Sequence, residues 1–382
     1  MKELTYSELK QLKPCSFILI DTRDCGNVQY GMIPGANHIP EQELCADIGK
    51  YISETPPDKI LILYCQRGIR SIDLAEAFEE QGCETFSLSG GYLAYLRDTV
   101  SSDTQSCEIQ SKAENAIRKK YHKQLFAPFA KACKEYQLIQ EGDHIAVCIS
   151  GGKDSMLMAR LFQEIQNHRQ VKFDLTFLVM DPGYNADNRR LIEYNAKNLG
   201  IPITIFESSI FDAVDTVEKN PCYLCTRMRR GYLYSRAKEL GCNKIALGHH
   251  YDDVIETILK GMLHGGQVQS MMPKLHSTNF EGMELIRPMY LIREADICKW
   301  RDYNELHFLQ CACHFMETCT TCHEDGTTSS KRLETKKLIA ELKITNPQLE
   351  SNILNSVTNV NLSTVIAYKE DGVKHHFLDS YI

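Results

Sequence analysis

The sequence predicts an α/β protein with two modules: a small parallel sheet in the first hundred residues and a larger, doubly wound parallel sheet after residue 143. Three observations carry this expectation. Short apolar runs at 17–21, 60–64, 145–149, 173–180, 203–206 and 244–247 are each bounded by polar residues, and most lead into helix-period segments. A glycine-rich turn, SGGKD at 150–154, joins one such strand directly to a helix. The polar stretch 101–111 (SSDTQSCEIQS) has no apolar periodicity and separates the modules as a linker.

The 382 residues leave room for two or three domains of roughly 100–200 residues each. A net charge of −7 offers no global field for nucleic acid, so any RNA site has to be a local basic patch. No run approaches the ~20 apolar residues that span a bilayer, and MKELTYSELK lacks the apolar core of a signal peptide. A cytoplasmic protein with no membrane association is expected. In that reducing setting the 16 cysteines should not form disulfides. Spacing sorts them: Cys222 and Cys225 form a CxxC, Cys311 and Cys313 a CxC, Cys319 and Cys322 a second CxxC, and Cys65 stands alone in a loop with glycine and arginine. Most of the other nine (Cys15, Cys25, Cys45, Cys83, Cys107, Cys133, Cys148, Cys242, Cys298) read as small buried hydrophobes.

In the first module, strands are predicted at 17–21, 60–64 and 85–88. The second leads into Cys65-Gln66-Arg67-Gly68-Ile69-Arg70-Ser71 and then a helix over 72–81. A loop curled above a helix N-terminus, with two arginines, favours a thiolate, and its amides can hold an anion bound to that sulfur. Asp21-Thr22-Arg23, the run GMIPGA at 31–36 with His38-Ile39-Pro40, CQRGIRS and Gly90-Gly91-Tyr92 together resemble a rhodanese domain over about residues 3–98. The resemblance implies a sulfurtransferase domain at 1–100 in which Cys65 carries a persulfide within a loop closed by Arg70. Four residues separate Cys65 from Arg70, the sulfurtransferase loop size; the related phosphatases have a longer loop. An inactive docking copy of the fold is the alternative.

Residues 112–138 read as helix, with Ile117, Leu125, Phe129, Ala132 and Leu138 apolar; with the linker they fill the interval 101–143. The basic run Arg118-Lys119-Lys120-Tyr121-His122-Lys123 reads first as a solvated face and second as a strip for RNA phosphates.

The second module, 144–328, is organised around IAVCISGGKDSMLM. Strand 145–149, turn 150–154 and a helix from Ser155 point several backbone N–H groups at one spot. The helix N-terminus adds about half a positive charge and Lys153 a full one, while Gly151 and Gly152 allow close backbone approach. The spacing is not that of a Walker A loop. It resembles the PP-loop of ATP pyrophosphatases, an adenine nucleotide alpha hydrolase-like fold, which implies ATP bound by Ser150, Gly151, Gly152, Lys153, Asp154 and Ser155. Strands and helices alternate onward, and ligands of such sheets lie at the carboxyl ends of strands. This adds Met180, placed to touch adenine through its backbone, and Gly248. Asp252 and Asp253 fall at a helix start; one, taken as Asp253, would hold Mg²⁺ or act on the substrate, and the other would cap the helix. His249 and His250 read as structural. Pro221-Cys222-Tyr223-Leu224-Cys225 precedes a basic helix with Arg227, Arg229, Arg230 and Arg236; alone, the CxxC leaves redox, zinc and iron–sulfur roles open.

SGGKDS, PCxxC followed by RMRRGYLY, LGHHYDDVIET, Met272-Pro273-Lys274-Leu275, Ile286-Arg287-Pro288 and a late cysteine pair, in that order, resemble the tRNA 2-thiocytidine synthetase (TtcA) family over about residues 115–360. The resemblance implies a [4Fe–4S] cluster held by three cysteines, with Cys222 and Cys225 carried over directly. The family spaces its late pair as CxxC where this chain has CxC, so the third ligand is Cys313, or Cys311 if the register slips the other way. Cys319 and Cys322 have no family counterpart; they read first as incidental, otherwise as a lid feature or a small metal site with His323. Arg227, Arg229 and Arg230 would hold tRNA. The tail, 329–382, reads as helices packed on the ATP domain, with Ser330-Lys331-Arg332 as a further phosphate contact.

The expected reaction is ATP-dependent thiolation of a tRNA cytidine at C2, with sulfur delivered from Cys65 by way of the cluster. A persulfide donor such as a cysteine desulfurase would charge Cys65, and a homodimer is an admissible assembly. The alternatives are thiolation of another tRNA position or a small molecule, adenylation for amidation, and a cluster-bearing redox sensor. Intact SGGKDS and CQRGIRS disfavour the last.

Overall fold

The computed structural model describes residues 2–28, 30–101, 106–208, 210, 221–308, 331–379 and 381. The chain divides into two compact units, Met1–His250 with Pro273–Thr320, and Tyr251–Met272 with Thr321–Ile382.

The first unit holds two sheets. One has the order β1-β5-β4-β2-β3, with β1 Glu3–Leu4, β2 Phe17–Asp21, β3 Asn37–His38, β4 Ile60–Tyr64 and β5 Thr85–Leu88, every pairing parallel. The three central strands fall at the expected positions. The two outer ones, two residues each, are too short to leave a periodic signal.

The other sheet has the order β10-β11-β9-β6-β7-β8, with β6 His144–Ile149, β7 Asp174–Asp181, β8 Ile203–Glu207, β9 Lys244–Ala246, β10 Lys274–His276 and β11 Glu284–Ile286. Only the β10–β11 pairing is antiparallel. The chain runs outward from β6 through β7 to β8, then returns to the other side of β6 as β9. Strand order therefore reverses beside β6, and ligands of doubly wound sheets bind at such a reversal, beyond the carboxyl ends of the strands. Both faces of β6 are buried: Ile145, Val147 and Ile149 pack into one apolar cluster, Ala146 and Cys148 into another. The first of these clusters is continuous from Tyr64, Tyr92 and Tyr95 in the small module to Met156, Trp300 and Phe308 in the large one.

Several boundaries differ from expectation. The helix after the glycine turn begins at Lys153, not Ser155, and runs Lys153–Asn167 with Gly152 as its N-cap. The predicted linker is largely helical: Ser106–Asn115 is an α-helix. Ala113, buried, and Ile109, partly buried, are the apolar positions it packs into the core, too few to mark a period in sequence, and tertiary bonds add to them, Glu114 pairing with Arg160 at 2.6 Å and the Trp300 indole N–H donating to Ala113 O. The single helix expected over 112–138 is broken by two π-helical stretches, Ala116–Lys120 and His122–Phe126, before the α-helix Ala127–Glu135. The π turns bring the adjacent pairs Ala116-Ile117 and Leu125-Phe126 to the buried side and leave Arg118-Lys119-Lys120 exposed. Among the unpaired-spacing cysteines, Cys133, Cys148 and Cys242 are buried as expected, whereas Cys15, in the turn before β2, and Cys25 and Cys45, in the short helices Cys25–Val28 and Glu41–Ala46, are exposed.

In the second unit the helices Lys331–Thr345 and Leu349–Thr358 pack on the helix Tyr251–Gly265 through Tyr251, Ile255, Leu259, Ile339, Leu349 and Ile353. An antiparallel hairpin, β12 Ala367–Glu370 and β13 Val373–His376, follows. Among the described residues, no helix is long and apolar enough to cross a membrane.

Candidate active site

Cys65 follows β4 and sits in a loop before the helix Arg70–Glu80, with only 6 % of its surface exposed. Its Sγ accepts a hydrogen bond from the Gly68 N–H at 3.2 Å and lies 3.5 Å from the Ser71 hydroxyl. The loop is clamped from behind. Tyr92 N–H donates to Cys65 O and Leu93 N–H to Gln66 O. Gly91 has φ +55°, and a Cβ there would stand 2.3 Å from Cys65 O, so backbone meets backbone where no side chain fits. Beneath the loop Arg23 is buried over the Tyr92 ring, pairs with Asp21 at 2.6 Å and donates to Gln66 Oε1 at 3.3 Å. Asp21 also accepts the Tyr64 hydroxyl at 2.7 Å. Arg70, the other predicted catalytic residue here, is the first residue of the helix and half exposed, with Nη1 3.8 Å from Glu41.

At the carboxyl end of β6, the turn Ser150–Gly151–Gly152 closes on the helix behind it. Ser155 Oγ accepts from Ser150 N–H at 3.1 Å and donates to Gly152 O at 3.0 Å. Gly151 is left-handed, φ +83°. Gly248, after β9, brings its backbone against the same helix start: a Cβ there would lie 3.2 Å from Ser155 N. Lys153 is 1 % exposed, with Nζ 3.2 Å from Asp154 Oδ2 and 3.1 Å from Glu294 Oε1. Burial disfavours its charge, but the Asp154 and Glu294 carboxylates outweigh burial and hold the ammonium above its usual range. The other oxygen, Asp154 Oδ1, is buried with no hydrogen-bond partner, which is the environment a divalent cation beside a triphosphate would satisfy. Met180 is buried one residue before the end of β7, packed with Ile210, Tyr184 and Phe206; the next residue, Asp181, accepts from Gly183 N–H and Tyr184 N–H. The predicted loop residues, Lys153 and Gly248 are thus brought together. Glu294 was not legible: it is a generic acid at the start of the helix Glu294–Tyr303.

The remaining predicted residues are placed as follows. Asp253, in the first turn of Tyr251–Gly265, pairs with Arg332, which also reaches Glu256 Oε2 at 2.7 Å. Arg332, expected on phosphate, is engaged here with two carboxylates. Burial holds the Glu256 carboxyl above its usual range, with Arg332 pulling the other way. Arg118 of the basic strip binds Glu164 at 2.8 Å and Glu114 at 3.4 Å, which favours the solvated-face reading for that residue. Arg227 and Arg230 are exposed and Arg229 half-buried on the helix Pro221–Glu239. Cys222 and Cys225 are the second and fifth residues of that helix. Cys311, Cys313, Cys319 and Cys322 lie outside the described residues. Among the described residues no group of three or more metal-ligating side chains forms.

The two modules meet at His307. Its ring nitrogens lie 3.0 Å from the Tyr92 hydroxyl and 2.6 Å from the Tyr95 hydroxyl, and Phe308 N–H donates to Tyr30 O at 3.1 Å. Burial, with Arg301 and Arg23 nearby, pushes the His307 pKa down to about 4. The unfolded chain therefore takes up a proton here that the folded chain refuses. Stability is intact above about pH 6.5 and falls as pH drops toward 4. At pH 5 this one group should cost about 2 kcal/mol, and His307→Gln should flatten that part of a pH series of urea unfolding. An identical pH dependence in the variant would refute the assignment.

A PP-loop at the reversal of a doubly wound sheet, with a cysteine in an amide-lined loop of a rhodanese fold, defines an ATP-dependent sulfurtransferase of the PP-loop class. A PP-loop domain model (ATP_bind_3) matches residues 117–313 and a rhodanese-like domain model residues 5–98. The chain belongs to the PP-loop family of tRNA 2-thiocytidine synthetases (TtcA) and carries a rhodanese domain as well. Its relatives include the tRNA-cytidine(32) 2-sulfurtransferase of Coxiella burnetii (strain RSA 493 / Nine Mile phase I), 35 % identical over 66 % of this chain and 95 % of that protein. The enzyme of the same description from Anaeromyxobacter dehalogenans (strain 2CP-C) is 32 % identical over 62 % of this chain and 79 % of its own length. Among solved structures, the U34-tRNA thiolase NcsA from Methanococcus maripaludis with its [4Fe–4S] cluster covers 61 % of this chain and 77 % of that chain, at 22 % identity and TM-score 0.48. A rhodanese-like domain protein from Staphylococcus aureus covers 25 % of this chain and 91 % of that one, at 28 % identity and TM-score 0.22.

Proposed function

We propose that this protein thiolates tRNA, exchanging the C2 oxygen of a cytidine for sulfur at the position that its relatives' names give as 32. The observation that carries the reading is a buried, charged Lys153 at the mouth of the PP-loop in the same compact unit as the Cys65 loop. A pyrimidine carbonyl is a poor electrophile because oxide is a poor leaving group. ATP removes that obstacle: the C2 oxygen attacks the α-phosphorus, the bond to the bridging oxygen breaks, and pyrophosphate departs. Sulfide then adds to C2, the C–O bond breaks, and AMP leaves with the original oxygen. Lys153 and the amides of 150–155 stabilise charge that grows on the departing pyrophosphate. Asp154, through its buried Oδ1, would hold Mg²⁺ on the same phosphates. Asp253 is the second acidic candidate, released for this role only if Arg332 moves to another partner.

Cys65, its Sγ met by the Gly68 N–H and the Ser71 hydroxyl, would take up sulfane sulfur from a persulfide donor such as a cysteine desulfurase. Release of that sulfur as sulfide consumes two electrons, drawn from a thiol pair that becomes a disulfide. Cys222 and Cys225, with Cys313 or Cys311, would hold a [4Fe–4S] cluster. Bound there, the cluster would supply an iron open to sulfur near the activated base. Arg227 and Arg230, exposed beside the CxxC, suit the tRNA backbone. The setting would be cytoplasmic, and the chain could act as a homodimer.

Mass spectrometry of nucleosides from total tRNA, with and without the gene, tests this. Loss of 2-thiocytidine is expected. Unchanged 2-thiocytidine with loss of another thionucleoside would move the target, and no change in any thionucleoside would overturn the tRNA reading.

A further inference from the structure

The PP-loop lysine has an aromatic neighbour from the other module. Tyr30 lies in the turn after the short helix Cys25–Val28 of the rhodanese domain, yet its ring centroid is 5.3 Å from Lys153 Nζ. Tyr30 and Gly31 are held through their backbones. Gly31 N–H donates to Val28 O at 3.1 Å, Gly31 O accepts from Arg23 at 2.7 Å, and Tyr30 O accepts from Phe308 N–H at 3.1 Å. Gly31 has φ +125°, and a Cβ there would stand 2.6 Å from His307 Nδ1 and 2.7 Å from the Tyr92 hydroxyl. Such wedging between the modules leaves the Tyr30 backbone little freedom. A cation within about 6 Å of a ring centroid is drawn to the ring, and more strongly when water is excluded. Lys153, 1 % exposed, meets that condition.

We propose that Tyr30 is a positioning residue of the nucleotide site, so that the rhodanese domain completes the ATP site of its neighbour. The ring confines the Lys153 ammonium between Asp154 and Glu294, in the place where phosphate oxygens are to be met. This rests on the reading of Lys153 as the ATP phosphate ligand. The same turn is bound through Arg23 to Gln66, the residue after the sulfur-carrying cysteine, so one rhodanese segment touches both chemistries.

The test uses the full chain and two readouts. The first is calorimetric affinity for Mg²⁺ and α,β-methylene-ATP, which cannot be cleaved between its α and β phosphates. The second is persulfide loading of Cys65 from thiosulfate, in which the thiolate takes the sulfane sulfur and sulfite leaves. Tyr30→Leu should weaken nucleotide binding about threefold to tenfold, Tyr30→Phe should stay within about twofold of wild type, and both should load Cys65 normally. Unchanged affinity in Tyr30→Leu overturns the proposal while leaving the ATP site intact. Equal weakening in Tyr30→Phe overturns the role of the ring. Loss of both binding and loading in Tyr30→Leu marks a collapsed turn and overturns positioning. Wild type that binds no nucleotide overturns the reading of Lys153 and the proposal with it.

Discussion

Lys153→Ala is expected to lower kcat/KM for ATP-to-AMP turnover by about 10²–10³-fold, the usual effect of removing one preorganised charge from a reacting phosphate or oxyanion. Burial is what makes the effect large. An exposed lysine would work through water and against salt, whereas this one is shielded and flanked by two carboxylates. The substitution also leaves Asp154 and Glu294 facing each other without a cation, and removing one partner of a buried pair costs about 3–5 kcal/mol of stability. Lys153→Ala combined with Glu294→Gln should recover most of that stability and none of the turnover. Recovery of turnover in the double variant would mean that Lys153 is structural.

Cys65→Ala should reduce thionucleoside formation from a persulfide donor to the uncatalysed background while nucleotide affinity stays at the wild-type value. Supplying inorganic sulfide should then restore thiolation, because the variant lacks the carrier and not the acceptor site. The loop tolerates the change: the backbone bonds from Tyr92 and Leu93 to Cys65 and Gln66 do not involve the thiol. Undiminished transfer from the persulfide donor in Cys65→Ala would reduce the rhodanese domain to a docking module.

Much of the architecture was legible because strand, turn and helix announce themselves locally. The β6 run, the paired glycines and Lys153 are adjacent in sequence, so the cradle could be read from fourteen residues. The same holds for CQRGIRS with Gly90-Gly91. What was not legible is whatever depends on distant chain. Glu294 is 141 positions from the lysine it pairs with; Tyr30 and His307 are ordinary residues until the modules meet. The helix Ser106–Asn115 was hidden in part for the same reason: among its described residues Ile109 and Ala113 alone mark its apolar inner side, and Arg160 and Trp300, which also hold it, are distant in sequence. Asp253 was picked out as a helix-start carboxylate, but its partner, Arg332, lies 79 positions further on.

The contact of Tyr92 and Tyr95 with His307 closes intervals of 215 and 212 positions. On a ribosome adding about 5–20 residues per second, on the order of 10–40 s separate the appearance of the tyrosines from that of the histidine. During that interval the rhodanese domain has its own sheet but not the residue that Tyr92 and Tyr95 are made to meet. An aromatic face is left bare on a domain otherwise ready to fold, which is the kind of surface that holding chaperones cover and nascent chains aggregate through. The order of the two domains along the chain therefore sets a vulnerable period in biosynthesis, ended by the arrival of residues 307 and 308.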